Sequence, residues 1–417
     1  MCSKKTIWFV NKDAAPIDVY ATHLRTIKQA QYFQQQGYDV RLVCSANVHN
    51  KDINYVDKGW YVEQIHDGIP FVFVKSLNYG NSSIKRILAY ILFSLNVNRL
   101  CRKIKSPDII VHTSRIPFDY PIYLLAKRKK ARYILDITDL WPMEFEHMGF
   151  LSSRSPILKL FYMIEKSLYG KAEHVVMSME GCQQYIKEHK WDLDNGGPID
   201  LNRIHYVNNG IDVNEFQLNA TKFKLQDVDL ENDSIQKVIY LGSIRLANNL
   251  EQLINAAKYL LPHPDIKVLI YGDGPERNVL EEKCRAEKIN NVIFKEKWVE
   301  PHFVPYILSK ASVNILNSAK GWAPYGGSMN KMMQSFAAEK PIVCNAGMRF
   351  SPIRDNELGV DCAFSDDMEY AEAILKMVNL TENEKQELSN RCKRVAQEFH
   401  IPNLNKKFQS LCDIPVL

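Results

Sequence analysis

The chain has 417 residues, 46% hydrophobic and 24% charged, the balance of an ordinary soluble globular protein. That length exceeds one core of usual size, so two or three domains are expected. Nine scattered cysteines with no C-x-x-C pair exclude a disulfide framework and a zinc site of the usual spacing.

No signal peptide is expected, because Asn11-Lys12-Asp13 ends the short apolar run Thr6 to Val10, and a reducing cytoplasm fits. The net charge of +5 is unevenly spread: Lys75 to Arg132 carries thirteen lysines and arginines against two acidic residues, Asp108 and Asp119. Such a stretch faces something anionic or is a solvated basic surface. Within it, Ile84 to Lys105 spaces Ile84, Ile87, Leu88, Ile91, Leu92 and Leu95 as the apolar stripe of a helix. The stripe is too short to cross a bilayer. It is read as either a helix packed on a sheet or a peripheral contact with an anionic membrane surface. No nucleic-acid partner is expected.

In chain order, Thr6 to Val10 is a strand feeding a loop with Ala14-Ala15-Pro16, and a helix runs from about Thr22 to Gln36, stopped by Gly37. Further strands are predicted over 39–45, 69–75, 108–113, 133–137, 175–178 and 204–207, with helical patterns between most of them. This alternation implies a parallel, doubly wound α/β sheet. The polar segment 214–236 reads as linker and irregular lead-in, after which alternation restarts with strands over 238–241, 267–271, 291–294, 312–316 and 341–345. The expected organisation is therefore an N-terminal Rossmann-like domain over 1–213, a linker over 214–236 and a second Rossmann-like domain over 237–395. A tail over 396–417 would return to the first domain. A cleft between the domains is the default ligand site, since ligands bind outside the carboxyl ends of such strands. A helix over 382–399 with Thr381 as N-cap is also expected.

The most informative stretch is Tyr325 to Pro341. Tyr325-Gly326-Gly327 is a turn, Ser328 reads as an N-cap, and Met329 to Ala338 reads as a helix burying Met332, Met333, Phe336 and Ala337. Lys331 then falls in the first turn, where a cation opposes the helix dipole unless an anion sits there. A phosphate would reverse the sign. Gln334, one turn beyond Asn330, would offer an amide to hydroxyls of whatever carries that phosphate.

Other loops follow strands. Gly242-Ser243-Ile244-Arg245 places a close-approach glycine before an arginine able to clamp a diphosphate. Gly272-Asp273-Gly274 lets a ligand approach the backbone. In the first half, Asp136 and Asp139 each offer a carboxylate to orient or deprotonate an acceptor hydroxyl, with Trp141 just beyond. Asn209 ends the last N-terminal strand, and His23 and Arg25 open the first helix beside the expected cleft.

Taken together, YLGSIR, YGDGPE, NNGIDVNEF and SMNKMMQSFAAEKPIV, with DITDLWP upstream, resemble retaining GT-B glycosyltransferases of the group 1 (family 4) type. More narrowly they resemble the bacterial O-antigen and capsule branch that includes fucosamine-transferase-like enzymes. The resemblance implies a nucleotide-diphosphate sugar on the C-terminal domain and a glycan or polyprenyl-diphosphate-linked acceptor on the N-terminal one, without cofactor or metal. It implies Gly242, Ser243, Arg245 and the helix start Ser328, Met329, Asn330 and Lys331 near the donor diphosphate, and Gln334 near the ribose or sugar. The glycine turn around Asp273 would border the donor, and Asp136 or Asp139 the acceptor, with His23, Arg25, Trp141 and Asn209 about it.

Three positions depart from the family pattern: Gly326 and Gln334 stand where two glutamates are common, and Asn248 where a lysine is usual. These departures keep a second reading open, a degenerate transferase that binds a sugar nucleotide or partner transferase without turnover. A sugar-nucleotide epimerase of the same shape is a third. A nucleotide-cofactor dehydrogenase is disfavoured, because no G-x-G-x-x-G follows the first strand.

Overall fold

A computed structural model describes residues 4–19, 24–48, 51–78, 83–114, 118–147, 149–318 and 324–413. The chain forms two compact units, residues 1–208 with 405–417, and residues 209–404. Each has its own sheet.

Unit 1 contains β1 (Thr6–Val10), β2 (Asp39–Ser45), β3 (Tyr61–His66), β4 (Ile69–Val74), β5 (Ile109–Thr113), β6 (Arg132–Ile137), β7 (His174–Met177) and β8 (Ile204–Tyr206). Their spatial order is β3-β4-β2-β1-β5-β6-β7-β8. All neighbours are parallel except β3 and β4. Strands such as IIVHT of β5 are buried along their whole length, His112 and Thr113 included, as in a sheet covered on both faces. Strand β3 was not expected, because YVEQIH is mostly exposed at the sheet edge and lacks an apolar run. Its signal is the two-residue turn Asp67-Gly68, both at positive φ (52° and 74°), which closes an antiparallel hairpin with β4.

Helices α1 (Leu24–Gln35), α2 (Ser83–Leu100), α3 (Tyr120–Lys129), α4 (Trp141–His147) and α5 (Pro156–Lys171) belong to this unit. Helix α2 corrects the packing reading of its sequence. Ala89, Tyr90, Phe93, Val97 and Leu100 are buried, whereas Ile87, Leu88, Ile91 and Leu95 are 41, 48, 38 and 53% exposed. The helix has two apolar stripes. The buried one carries the aromatic rings, and its Tyr90 donates a hydrogen bond to Asp13 (3.0 Å) and stacks on Phe118.

Unit 2 contains β9 (Gln236–Leu241), β10 (Ile266–Tyr271), β11 (Val292–Phe294), β12 (Val313–Leu316), β13 (Ile342–Cys344) and β14 (Gly359–Asp361). They run parallel in the order β11-β10-β9-β12-β13-β14. Strand β14 was also unexpected, being three residues long and opening with glycine. Leu250, Leu253, Ile254 and Ala257 pack with Val238, Ile270 and Tyr370 in the core of the unit, as their helical spacing requires.

The segment read as linker is instead ordered. Residues Val213–Lys222 form a helix whose N-terminus Asp212 caps by accepting the Glu215 amide (3.1 Å), and Val228–Glu231 form a turn capped by Asp227. Only Val213 and Phe216 of the longer helix are buried, too few to reveal its period. Lys295 pairs with Asp227 and Asp229 (2.6 Å each), and Tyr271 donates to Asp227 (2.8 Å), which ties this segment to the β10–β11 edge.

Near the C-terminus, Glu382–Glu398 carries a capping box between Thr381 and Glu384 and lies in unit 2. The last helix, Ile401–Asp413, supplies unit 1 with its residues from 405 onward. There Phe408 meets the Phe33 ring edge-on, Lys407 donates to the Tyr206 carbonyl (2.7 Å), and Arg132 donates to the Leu411 carbonyl (3.0 Å).

Candidate donor and acceptor sites

The donor candidates all lie in unit 2. The loops after β9 and β10 nest backbone to backbone: the amide of Gly242 donates to Tyr271 and that of Ile244 to Asp273, each at 2.9 Å. This packing explains the glycines. A Cβ on Gly272 would strike the Gly242 carbonyl, and one on Gly274 the Ile244 carbonyl. A Cβ on Gly242, at φ 155°, would strike Lys331 Nζ. Arg277, buried and overlooked in the sequence, holds the loop by donating to the carbonyls of Gly272 (2.5 Å) and Lys295 (2.8 Å).

Lys331 lies in the first turn of the helix Asn330–Ala337. Its Nζ donates to the Tyr240 hydroxyl at 3.2 Å and sits 4.8 Å from that ring's centroid. The Tyr240 hydroxyl in turn donates to the Ser243 carbonyl (2.7 Å). Among the described residues no carboxylate pairs with Lys331. Burial alone lowers its pKa from 10.5 to about 8. A cation held here without a counter-charge is a place for an anion.

The helix start differs in detail from its sequence reading. Met329 occupies the cap position with no side-chain hydrogen bond, and the helix begins at Asn330. Ser328 is therefore not the N-cap. Its hydroxyl accepts the Asn209 amide (2.8 Å) and its carbonyl accepts Asn209 Nδ2 (3.3 Å), because the chain is still extended at Met329 and turns the serine toward that strand-end loop. The amides of Asn330 and Lys331 consequently have no acceptor among the described residues. Asn209, expected on the acceptor side, belongs to unit 2, and its Oδ1 is buried without a partner among the described residues. Gln334 is half-buried, and no hydrogen bond of its side-chain amide occurs among the described residues. Arg245 is exposed at the start of a short turn, while Ser243 donates to Asn248 (3.1 Å). Tyr240 escaped sequence reasoning, since a strand tyrosine before glycine reads as core.

The acceptor candidates lie in unit 1. Asp136, at the end of β6, is fully buried and takes both Nε (3.1 Å) and Nη2 (2.8 Å) of Arg25. Arg25 spends its remaining donors on the carbonyls of Val207 (2.8 Å) and Asn208 (2.5 Å). These two residues thus lock β6 to the end of β8. Asp139 is half-buried and accepts the Thr138 hydroxyl at 3.0 Å. Trp141 opens α4 with the Arg86 guanidinium 5.7 Å from its ring. His23 lies outside the described residues. Unforeseen in the sequence is a buried ion pair just past β1, Lys12 with Asp13 (3.2 Å).

The model for "Glycosyltransferase Family 4" matches residues 24–215, and that for "Glycosyl transferases group 1" matches residues 222–399. Together they span most of both units. The chain is a group 1 glycosyltransferase.

Solved structures share its fold. Anabaena HepE, in complex with UDP and glucose, is 14% identical over 98% of this chain and 100% of its own, with a TM-score of 0.64. WaaG, a glycosyltransferase involved in lipopolysaccharide biosynthesis, is 12% identical over 98% and 99%, with a TM-score of 0.66. The E. coli trehalose-6-phosphate protein bound with UDP-2-fluoro glucose is 13% identical over 99% and 100%, with a TM-score of 0.71. The glycosyltransferase shares with them the two-domain GT-B fold. No curated protein matches its sequence.

Proposed function

We propose that this glycosyltransferase moves a sugar, with retention of configuration, from a nucleotide-diphosphate donor to a lipid-linked or related glycan acceptor during bacterial capsule or O-antigen assembly at the cytoplasmic membrane face. The observation that carries the donor half is Lys331, half-buried beside Gly242 and Tyr240 with, among the described residues, no carboxylate partner and two helix amides without an acceptor next to it. HepE, solved with UDP and glucose, and WaaG, involved in lipopolysaccharide biosynthesis, support a sugar nucleotide and a surface glycan.

In the proposed reaction the bond from the anomeric carbon to the diphosphate oxygen breaks and its electron pair goes to that oxygen. The acceptor hydroxyl forms the new bond on the same face, and its proton passes to the leaving phosphate oxygen. Lys331, Arg245 and the amides of Asn330 and Lys331 neutralise the charge growing on the diphosphate, work that needs neither metal nor cofactor. Gln334 and Asn209 Oδ1 offer neutral hydrogen bonds to donor hydroxyls. On the acceptor side Asp139 is the carboxylate that orients the acceptor hydroxyl, because Asp136 is committed to Arg25.

The first test is a thermal-shift panel of UDP, GDP, TDP, CMP and their common sugars, with and without magnesium. A donor at about 100 times its dissociation constant should stabilise the fold by roughly 2.7 kcal/mol. One responder names the donor class, and the anomeric configuration of the product by NMR then decides retention. A family glutamate replaced by Gln334 favours one further reading, binding without turnover. A sugar nucleotide that binds but is neither transferred nor hydrolysed across a broad acceptor panel would establish it.

A further inference from the structure

We propose that the outward faces of α2 and α5 seat unit 1 on the surface of an anionic phospholipid bilayer. Leu88, Ile91 and Leu95 of α2 are 48, 38 and 53% exposed, and Ile157, Leu160 and Met163 of α5 are 52, 50 and 67% exposed. Each trio is spaced to share one helix face. Large apolar side chains grouped this way, unlike isolated ones, mark a contact surface.

The two helices are neighbours through one aromatic cluster. Phe118 lies 5.9 Å from the Tyr90 ring of α2 and 6.3 Å from the Phe161 ring of α5. Phe145 and Trp141 of α4 continue it, and Arg86 of α2 stands 5.7 Å from Trp141. Their inner faces are thereby filled, which leaves the outer ones to meet something else.

Charge selects the occupant. Helix α2 has no acidic residue, and the single carboxylate of α5, Glu165, is fully buried under the hydroxyls of Tyr169 and Tyr185 (2.7 Å each). Exposed Lys85, Arg99 and Lys159 accompany the apolar residues. Of the two acidic residues in the basic stretch 75–132, Asp119 is buried against Ser114 and Asp108 accepts the Thr6 amide (2.7 Å). Of the nearby carboxylates on α4, Glu144 and Glu146 are half-buried, and Glu146 accepts the Tyr162 hydroxyl (3.3 Å).

An apolar stripe rimmed by cations fits the headgroup boundary, where apolar burial and attraction to anionic lipid add. A symmetric pair of copies would instead bring like charges together across the stripe. No described helix is long and apolar enough to cross a membrane, so the contact is a surface one.

The test is co-sedimentation of the full chain with phosphatidylcholine vesicles and with vesicles of equal parts phosphatidylcholine and phosphatidylglycerol, at low and high salt. Binding is expected only with phosphatidylglycerol and should weaken in high salt. Leu88→Gln with Leu95→Gln should lower the partition coefficient at least about tenfold, through lost apolar burial. Lys159→Glu should lower it about fivefold or more. Near-UV circular dichroism checks the fold of each variant. As an independent readout, Ile157→Trp should blue-shift its emission on adding the anionic vesicles.

The proposal is overturned by indifference to lipid charge, by glutamine variants that bind like the parent, or by no blue shift. Light scattering that shows a dimer, abolished by the glutamine pair and without vesicle binding, would make the face an interface between copies and overturn it as well. Vesicle binding reads no chemistry, so its failure leaves the transfer reaction untouched.

Discussion

The charged groups beyond the strands of the two units are treated in opposite ways. In unit 1 the Asp136 carboxylate and the Arg25 guanidinium satisfy each other, and Arg25 uses its other donors on two backbone carbonyls. In unit 2, among the described residues, Lys331 has only a tyrosine hydroxyl, and the amides of its helix start have no acceptor. A satisfied buried pair holds a fold together, whereas an uncompensated buried cation costs stability until an anion arrives. That contrast separates architecture from site.

Arg25→Ala should break the contrast most heavily. It leaves Asp136 buried and unpaired and should cost about 3–5 kcal/mol in urea unfolding, with the donor site itself untouched. Lys331→Met should act in the opposite sense on stability, raising it by about 1–3 kcal/mol because a desolvated cation is removed. The same change should abolish the thermal response to the donor nucleotide. Gly242→Ala should abolish that response too, by pushing the lysine aside. A Lys331→Met protein that is less stable yet still binds the nucleotide would reverse the assignment.

The pH dependence sharpens the same point. Free Lys331 titrates near 8, below its ordinary 10.5, and a bound diphosphate would raise it again. Binding therefore takes up a proton above about pH 8. Donor affinity should be flat below that pH and fall above it, by at most about tenfold per unit, in isothermal titrations. Stability without ligand has the other sign. Because the folded value lies below the unfolded one, stability should rise as pH goes from about 8 to 10.5.

Glu165 supplies the counterpart in unit 1. Burial raises its pKa from 4.5 to about 7, so the folded state holds a proton that the unfolded state has lost between those values. Its stabilisation is present at low pH and lost as pH rises through about 7, with a slope of at most about 1.4 kcal/mol per pH unit. Glu165→Gln should flatten that slope in a series of thermal melts. Gln334→Glu should have the smallest effect, a change in donor affinity or in the preferred sugar of several-fold, read by the same nucleotide panel.

Much of this was legible in advance. The strands from Thr6, Asp39, Ile69 and Ile204 begin where the apolar runs begin, since a strand buried on both faces must be apolar throughout. The glycines at 242, 272 and 274 stood out in the sequence as strand-end turns, and the structure accounts for 272 and 274 by close backbone packing and for 242 by the approach of Lys331. Edge strand β3 and the helix Val213–Lys222 were less visible, because neither buries enough side chains to leave a period. Capping by Met329 rather than Ser328 was invisible, because the partner of Ser328 is Asn209, far away in sequence.

The sequence by itself determined two doubly wound units, the order along the chain of most of their strands and the residues of the proposed phosphate site. Those properties follow from local periodicity and from backbone requirements that travel with each residue. Only the tertiary structure decided which of two apolar stripes of α2 is covered, that Asp136 belongs to Arg25, and that Lys331 has no carboxylate partner among the described residues. Each is a choice among partners distant in sequence, settled by which contact buries more area or satisfies more charge.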